Sequence, residues 1–355
     1  MGLQVSGKPA RLYERLDGGI VVCRACPRYC RLSPGQRGFC GVRGNIKGVL
    51  YLLVYGKIIA ANVDPIEKKP VMHYMPGTRV FSIATNGCNW ACRYCQNYDI
   101  SQRRRVEGAD VSPEMVVKMA KRYGSEGIAY TYNEPTIFME FAHDVGVIAR
   151  REGLFNVFVT NGYWTPDAVR EAMDFLDAAT VDFKGNADPN FLRKFSAVPS
   201  PDPIFETLLE LRDKTRIHIE ITDLVVPRIG DDLEQARRLV RWIHDNLGPD
   251  VPIHFLRFHP DYLMLDLPAT PIEILEKHYR VAREEGMRYV YLGNVPGHPY
   301  ENTICPECGH VVVERYGFNI LSWNLDEKNR CVYCGYPIAI YGRPSPRALE
   351  RRTLF

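Results

Sequence analysis

The sequence of 355 residues lacks several features that would assign the protein to a class at once. No run of about 18 apolar residues occurs, so we expect no membrane-spanning helix and no membrane partner. Neither sign of charge dominates, since 45 Lys and Arg stand against 42 Asp and Glu. The net charge of +3 therefore leaves nucleic-acid binding undetermined. The first residues also lack the apolar stretch of a secretion signal, and we expect a cytoplasmic protein.

The eleven cysteines are unusual because of their grouping. They form an N-terminal quartet, a central trio and a C-terminal quartet: Cys23, Cys26, Cys30 and Cys40; Cys88, Cys92 and Cys95; Cys305, Cys308, Cys331 and Cys334. An odd count in tight groups argues against a disulfide framework and favours metal ligands in a reducing compartment. The sequence therefore predicts three metal sites.

Between residues 79 and 298, β-like runs alternate with amphipathic helical segments. The runs are 79–85, 127–132, 156–160, 178–184, 217–226, 252–258 and 289–293. The helical segments are 112–123, 136–152, 167–176, 203–213, 232–247 and 271–285. Ser112 and Thr165, each followed by proline, are typical N-caps. This alternation predicts an α/β fold with a parallel sheet, closed into a partial or near-complete TIM barrel, whose active site lies at the carboxyl ends of the strands.

The cysteine groups and the alternation together divide the chain. We expect a four-cysteine metal-binding module with a lead-in at 1–78, the barrel at 79–298, a four-cysteine zinc ribbon at 299–341 and a basic tail at 342–355. The small Cys-rich modules would thus stand at both ends of the barrel.

The central trio has the spacing Cys88-x3-Cys92-x2-Cys95 and follows the first predicted strand. Three thiolates can hold three irons of a [4Fe–4S] cluster and leave the fourth iron without a protein ligand. The alternatives are three buried thiols or part of a zinc site, although the nearest further ligand, His73, lies fifteen residues upstream. An open iron would be the place where chemistry occurs.

The two quartets differ in how clearly they indicate a metal. The C-terminal quartet consists of two Cys-x2-Cys-Gly turns, which is typical of a structural zinc ribbon, with a rubredoxin-like iron site as the alternative. The N-terminal quartet could hold zinc or an auxiliary [4Fe–4S] cluster. Zinc is slightly favoured there because the sequence shows no electron route.

The cluster loop itself, NGCNWACRYCQN, resembles the radical SAM superfamily, in which an aromatic residue precedes the third cysteine, as Tyr94 does here. The resemblance implies a (β/α)6-type barrel in which S-adenosylmethionine (SAM) chelates the open iron. It also implies that the reduced cluster cleaves SAM to a 5′-deoxyadenosyl radical, which abstracts hydrogen from a substrate. Cys88, Cys92 and Cys95 would be the catalytic cluster ligands.

Four later segments resemble that superfamily at strand ends, and they imply SAM-binding residues. TYNEP offers Asn133 and Glu134 where Gly-Gly-Glu-Pro is usual, so Tyr132 and Asn133 replace two glycines. VTNG resembles the Asp-Thr-Asn-Gly motif of glycyl-radical-enzyme activases. Val159 stands in the place of the aspartate. The implied contacts from these segments and from DFK and LRFHP are Asn133, Glu134, Thr160, Asn161, Asp182, Lys184 and His259. Tyr94 of the cluster loop is an implied cofactor-binding residue as well.

Over nearly its whole length the chain resembles the radical SAM enzyme of the AmmeMemoRadiSam system, a relative of glycyl-radical-enzyme activases such as those of pyruvate formate-lyase. The segments that carry this resemblance include CRACPRYCRLSPGQRGFCGVR, VDPIEKKP and YLGNVPG. It implies Memo-like and AMMECR-type partner proteins and a reductant protein of flavodoxin or ferredoxin type. It does not identify the substrate.

We therefore expect a radical SAM enzyme that acts on an unidentified substrate. Two other functions stay open from the sequence. One is a glycyl-radical-enzyme activase, although plain activases lack both flanking cysteine modules. The other is a non-enzymatic zinc-binding adaptor, which would contain zinc and no iron.

Overall fold

A computed structural model describes residues 7–344 and residue 349 of the chain. Most of the predicted basic tail lies outside the described residues. An eight-stranded sheet with helices on its outer side forms the centre of the molecule.

Seven strands of this sheet run parallel, and all seven of the predicted β-like runs form them. They are β9 (Arg79–Ala84), β11 (Gly127–Tyr130), β12 (Phe155–Thr160), β13 (Ala178–Lys184), β14 (His218–Val225), β15 (Ile253–Arg257) and β16 (Val290–Gly293). They are ordered β9-β11-β12-β13-β14-β15-β16, so each strand lies beside the next along the chain. The predicted α/β barrel with a parallel sheet is confirmed.

The eighth strand of this sheet was not predicted. Residues of the lead-in form β8 (Ala60–Pro65), which pairs antiparallel with β9 along its whole length and occupies the edge of the sheet. Antiparallel pairing needs only a short connection. Here the chain between the two strands covers residues 66–78, so the lead-in is structurally continuous with the barrel.

Eight α-helices lie within the described residues. They are α1 (Tyr98–Ser101), α2 (Pro113–Arg122), α3 (Met139–Arg151), α4 (Pro166–Met173), α5 (Pro189–Ser196), α6 (Asp202–Lys214), α7 (Leu233–Leu247) and α8 (Ile272–Glu284). Ser112 and Thr165 cap α2 and α4 as predicted, each accepting a hydrogen bond from the backbone N–H three residues later. The short helix α5 was not predicted, and it becomes important at the site.

The helices pack on the sheet because each has one apolar face. In α2, for example, Val116, Val117 and Ala120 are buried while the opposite face carries charged residues. Burial of each large apolar side chain of this kind contributes about 1.5–3 kcal/mol. Strand β11 is buried on both sides, as is usual for a parallel strand covered by helices.

The N-terminal residues, together with residues 109–110, form small sheets against one side of the barrel. The strands are β1 (Lys8–Pro9), β2 (Tyr13–Arg15), β3 (Val21–Cys23), β4 (Arg31–Leu32), β5 (Arg43–Ile46), β6 (Val49–Leu52), β7 (Lys57–Ile58) and β10 (Ala109–Asp110). They pair in the orders β1-β6-β5, β2-β3-β4 and β10-β7. A buried ion pair between Arg43 and Glu140 of α3 attaches this region to the barrel.

The C-terminal residues form a three-stranded antiparallel sheet of β17 (Thr303–Ile304), β18 (Val311–Tyr316) and β19 (Asn319–Trp323). His73 connects this region to the barrel, since its two ring nitrogens lie 2.8 Å from the Ala339 carbonyl and 2.6 Å from the Tyr291 hydroxyl. Arg315 donates to the carbonyl of Met72 from the same side. The C-terminal sheet therefore packs against β16 and the lead-in.

Helices long and apolar enough to span a bilayer do not occur within the described part of the chain.

Candidate active site

A cavity of about 490 Å³ opens at the carboxyl ends of the parallel strands. Its walls include every residue for which the sequence implied a role at the central site: Cys88, Cys92, Tyr94, Cys95, Asn133, Glu134, Thr160, Asn161, Asp182, Lys184 and His259. These residues come from separate segments of the chain. The parallel topology brings them together because the carboxyl ends of neighbouring strands meet at one edge of the sheet.

The loop that carries the central trio follows β9 and is attached to α5. The backbone N–H groups of Ala91 and Arg93 donate to the carbonyls of Ser196 and Phe195 at 2.9 and 2.8 Å. Tyr94 is buried, and its hydroxyl lies 2.7 Å from the hydroxyl of Ser196. Residues of an unpredicted helix thus hold the loop in its position, and the aromatic residue before the third cysteine is one of the contacts.

Asn133 braces the start of the same loop from the end of β11. Its side-chain amide donates to the carbonyls of Thr85 and Gly87 at 2.7 and 2.9 Å. The Asn133 carbonyl oxygen, Oδ1, is buried at the cavity wall and has no partner within the described residues. A buried acceptor without a partner is costly unless a ligand supplies a donor.

Tyr132 shows how the chain tolerates the loss of a glycine at this turn. Its φ of 68° lies in the left-handed region, which costs a non-glycine residue about 1 kcal/mol. Its hydroxyl donates to the buried Asp64, and the ammonium of Lys69 lies 4.6 Å from the centre of its ring. These contacts to the lead-in offset the strain, so the turn before Glu134 forms without the usual glycine.

Glu134 is buried and accepts four hydrogen bonds. Oε1 accepts from the backbone N–H and the hydroxyl of Thr136 and, at 2.8 Å, from the hydroxyl of Thr160. Oε2 accepts from the backbone N–H of Asn161 at 2.7 Å. Burial nevertheless keeps the pKa of Glu134 above its ordinary value, although the hydrogen bonds act to lower it.

Asn161 connects the end of β12 to the cluster loop. Its side-chain amide donates to the Asn89 side chain at 2.8 Å, and its Oδ1 accepts from the backbone N–H of Tyr163. Asn89 was not identified from the sequence, and nothing in its sequence context distinguishes it from an ordinary turn residue. The Glu134–Asn161–Asn89 chain therefore couples two strand ends to the loop.

Asp182 and Lys184 stand two residues apart at the end of β13, so both face the cavity and form an ion pair. Asp182 also accepts a hydrogen bond of 2.8 Å from Thr222, its direct neighbour on β14. Burial acts to lower the pKa of Lys184, but the charge and hydrogen bond of Asp182 together with the nearby Cys92 and Cys95 outweigh burial, and the pKa is raised. Lys184 therefore carries its charge at neutral pH.

His259 lies at the rim of the cavity rather than within it. Its side chain is 68% exposed, and Nδ1 lies 3.1 Å from a carboxylate oxygen of Asp261. Of the implied SAM-contacting residues it is the most accessible to solvent.

The cavity extends past the central trio towards residues that sequence reasoning missed. Glu67 lies there, buried, with Oε1 accepting from the backbone N–H of Gly77 at 2.6 Å and Oε2 without a partner among the described residues. Burial raises the pKa of Glu67 to about 7. His254 and Glu301 also line the cavity. No local motif marks these residues, because they come from separate segments of the chain.

The C-terminal quartet is arranged differently from the other cysteine groups. Its four sulfurs lie within 4.8 Å of one another, with 3.6 Å between Cys305 and Cys334 and 3.7 Å between Cys308 and Cys331. Four sulfurs about 2.3 Å from a tetrahedral zinc would be about 3.8 Å apart. The spacing is thus compatible with a metal ion. In the described part of the chain, no other set of three or more Cys, His, Asp or Glu ligand atoms is this compact.

Comparison with known proteins identifies a radical SAM domain. The sequence model described as the radical SAM superfamily matches residues 82–243, which contain the central trio and extend from the end of β9 to most of α7. The chain therefore contains a radical SAM domain. An uncharacterised protein of Methanocaldococcus jannaschii is 46% identical over 336 residues, which cover 94% of this chain and 99% of the relative. This radical SAM chain therefore matches that relative over nearly its full length.

More distant similarities include three further proteins. A putative glycyl-radical enzyme activating enzyme of M. jannaschii is 21% identical over 165 residues, covering 46% of this chain and 62% of that protein. A radical SAM methyltransferase from Sphaerobacter thermophilus superimposes with a TM-score of 0.49 at 14% identity, covering 62% of this chain and 67% of that one. A domain of a pyruvate-formate lyase-activating enzyme from Bacteroides vulgatus gives 0.42 at 15% identity, covering 48% and 100%.

A radical SAM domain implies an enzyme with a [4Fe–4S] cluster and SAM. The residues present fit both groups. Three thiols on one loop face the cavity. The unpartnered Oδ1 of Asn133 and the charged Lys184 offer an acceptor and a cation to a zwitterion such as the methionyl end of SAM. A cavity of about 490 Å³ is within the range of small-ligand sites.

Proposed function

We propose that this radical SAM enzyme holds its [4Fe–4S] cluster on Cys88, Cys92 and Cys95 and uses it to cleave SAM reductively. When bound, the cluster and SAM supply a 5′-deoxyadenosyl radical that abstracts hydrogen from a substrate. The observation that carries the proposal is the position of the three thiols in the wall of a cavity whose other walls hold partners for a zwitterion.

The chain's own residues would bind SAM and orient it. Asn133 Oδ1 is an acceptor for the ammonium group, and Lys184 is a cation for the carboxylate. Asp182, held by Thr222, is an acceptor for ribose hydroxyls. Glu134 has all four of its interactions with protein donors, so we assign it a positioning role: it fixes the backbone at Asn161 and the hydroxyl of Thr160. The exposed His259 would contact the adenosyl end.

The substrate would enter beyond SAM, in the same cavity, whose lining also includes Glu67, His254 and Glu301. We propose the AmmeMemoRadiSam system as the setting, on the strength of the motifs at both ends of the barrel. Memo-like and AMMECR-type proteins would then be partners, and a flavodoxin or ferredoxin would supply the electron. For the C-terminal quartet we propose zinc, because its sulfur spacing is that of a tetrahedral site.

A second candidate function is activation of a glycyl-radical enzyme. It is favoured by the 21% identity to a putative glycyl-radical enzyme activating enzyme over 165 residues. An activase would leave a persistent glycine-centred doublet in the electron paramagnetic resonance (EPR) spectrum of a partner protein. The adaptor function is disfavoured because residues 82–243 match a superfamily of enzymes.

The decisive experiment compares the anaerobically reconstituted protein with Cys92→Ala. With dithionite and SAM, we expect the wild type to form 5′-deoxyadenosine and the variant to form none. Retention of zinc by the variant would show that the rest of the chain is folded. If the variant still forms 5′-deoxyadenosine, the assignment of the central trio is wrong.

A further inference from the structure

The N-terminal quartet forms one compact region of the fold. Strand β3 ends at Cys23, whose backbone N–H donates to the carbonyl of Cys30 at 3.0 Å. The sulfur of Cys30 in turn accepts from the backbone N–H of Phe39, next to Cys40, at 3.5 Å. Cys26 belongs to the turn between Cys23 and Cys30, since its carbonyl accepts from the N–H of Tyr29. Four thiols without disulfide bonds are thus gathered at one place.

The sulfurs of this quartet are spaced more widely than those of the C-terminal quartet. No three of them lie within 4.8 Å of one another, whereas all four of the C-terminal quartet do. The central trio, for which the superfamily implies a [4Fe–4S] cluster, also falls outside that limit. The chain therefore contains one cysteine group with closely spaced sulfurs, the narrow quartet, and two groups with widely spaced sulfurs.

Metal chemistry explains these two spacings. One zinc ion requires sulfurs about 3.8 Å apart, because all four bind a single atom at about 2.3 Å. A [4Fe–4S] cluster binds each sulfur to a different iron, so its ligands stand about 6 Å apart. A wide quartet therefore matches a cluster, and the narrow quartet of the same chain serves as the internal comparison.

We infer that Cys23, Cys26, Cys30 and Cys40 bind a second [4Fe–4S] cluster. All four irons of this cluster would have a protein ligand, unlike the cluster on the central trio. The N–H···S hydrogen bond from Phe39 to Cys30 is of the kind that adjusts cluster potentials, and the N–H of Trp90 makes the same contact to Cys88 at 3.4 Å.

The second site lies directly against the loop of the central trio. A Cβ on Gly87, the residue before Cys88, would lie 2.5 Å from the carbonyl oxygen of Cys40, so only glycine fits at this contact. Arg28, between Cys26 and Cys30, donates to the carbonyls of Asn89 and Ala197. The segment that carries the N-terminal quartet thus contacts the loop of the central trio directly. These contacts provide a short path between the two metal sites, and the sequence alone does not show that path.

The test is a metal count on the full chain, purified without oxygen and reconstituted with iron and sulfide. We expect about eight irons and one zinc per chain in the wild type. The variant C88A/C92A/C95A leaves the N-terminal quartet untouched. It should keep about four irons and, once reduced, give a [4Fe–4S]⁺ EPR signal that SAM does not change.

Two results would overturn the inference. One is a trio variant that contains no iron and two zincs, and the other is a wild type with about four irons and two zincs. The inference and the proposed function fail in different ways. Eight irons without SAM cleavage would contradict only the proposed function, whereas SAM cleavage by a protein with four irons and two zincs would contradict only the second cluster.

Discussion

The hydroxyl of Thr160 donates a hydrogen bond of 2.8 Å to Oε1 of Glu134, and this contact joins the carboxyl ends of β11 and β12 at the cavity. The same oxygen accepts from both donors of Thr136, while the other oxygen accepts from the backbone of Asn161. The carboxylate therefore organises the cavity wall because both of its oxygens accept hydrogen bonds. A side-chain amide has only one acceptor oxygen and cannot do this.

Glu134→Gln tests this arrangement. An amide replaces one acceptor oxygen with N–H groups that face the existing donors, and we expect a loss of about 1–3 kcal/mol in the free energy of unfolding. Urea denaturation under anaerobic conditions measures it. The control is Glu327→Gln at an exposed position, which should have no effect. Equal stabilities of both variants and wild type would contradict a positioning role for Glu134.

Thr222→Val removes the hydroxyl that holds Asp182 at 2.8 Å. We expect the dissociation constant for SAM to rise about 3- to 10-fold, the loss of one hydrogen bond, with iron content unchanged. Calorimetric titration with SAM measures this change.

The matched control for Thr222 is Thr180→Val on the neighbouring strand. Thr180 is also buried, but its hydroxyl has no partner within the described part of the chain. Its removal should leave SAM affinity unchanged and stability equal or higher. If both variants weaken SAM binding equally, the effect is general packing and the Thr222–Asp182 contact has no special role.

Glu67 should make stability depend on pH. Its pKa is about 7 in the folded protein because of burial, with Arg315 acting to lower it and Glu220 acting to raise it, against 4.5 when unfolded. Between these values the folded state holds a proton that the unfolded state releases, so stability falls as pH rises from about 4.5 to 7. The contribution is about 3 kcal/mol at most.

Glu67→Gln should remove this pH dependence, so the difference in unfolding free energy between wild type and variant changes from pH 5 to pH 8. The exposed Glu206→Gln should show the wild-type profile. A pH-independent difference between wild type and Glu67→Gln would mean that Glu67 is ionised throughout the range.

Much of the fold could be predicted because the information is local. Ser112 and Thr165 each form a cap with a backbone N–H only three residues away, so the motif and the contact are the same stretch of sequence. The seven parallel strands were visible for a similar reason, since each is a short apolar run between turns and helices. Helix α5 escaped prediction because it lies in the same crossover as α6, and its eight residues are too few for a clear periodicity.

The same difference between local and distant information applies to the residues of the candidate site. The residues at strand ends were found through motifs, and the cavity contains all of them. Glu67 and Asn89 were missed because each acts through residues distant in sequence, which no spacing encodes. The left-handed turn at Tyr132 could not be foreseen either, since its compensating contacts come from Asp64 and Lys69 in the lead-in.

By itself, the sequence determined the order of strands and helices, the position of three cysteine groups and the family they indicate. Hydrophobic periodicity, capping and ligand spacing all act between near neighbours in the chain. Only the tertiary structure decided that β8 completes the edge of the sheet, that Thr222 stands opposite Asp182 and that Cys40 touches Gly87. It also decided how far apart the sulfurs of each group lie. Those distances depend on how whole segments pack in three dimensions, and on them depends the choice between one zinc ion and a cluster.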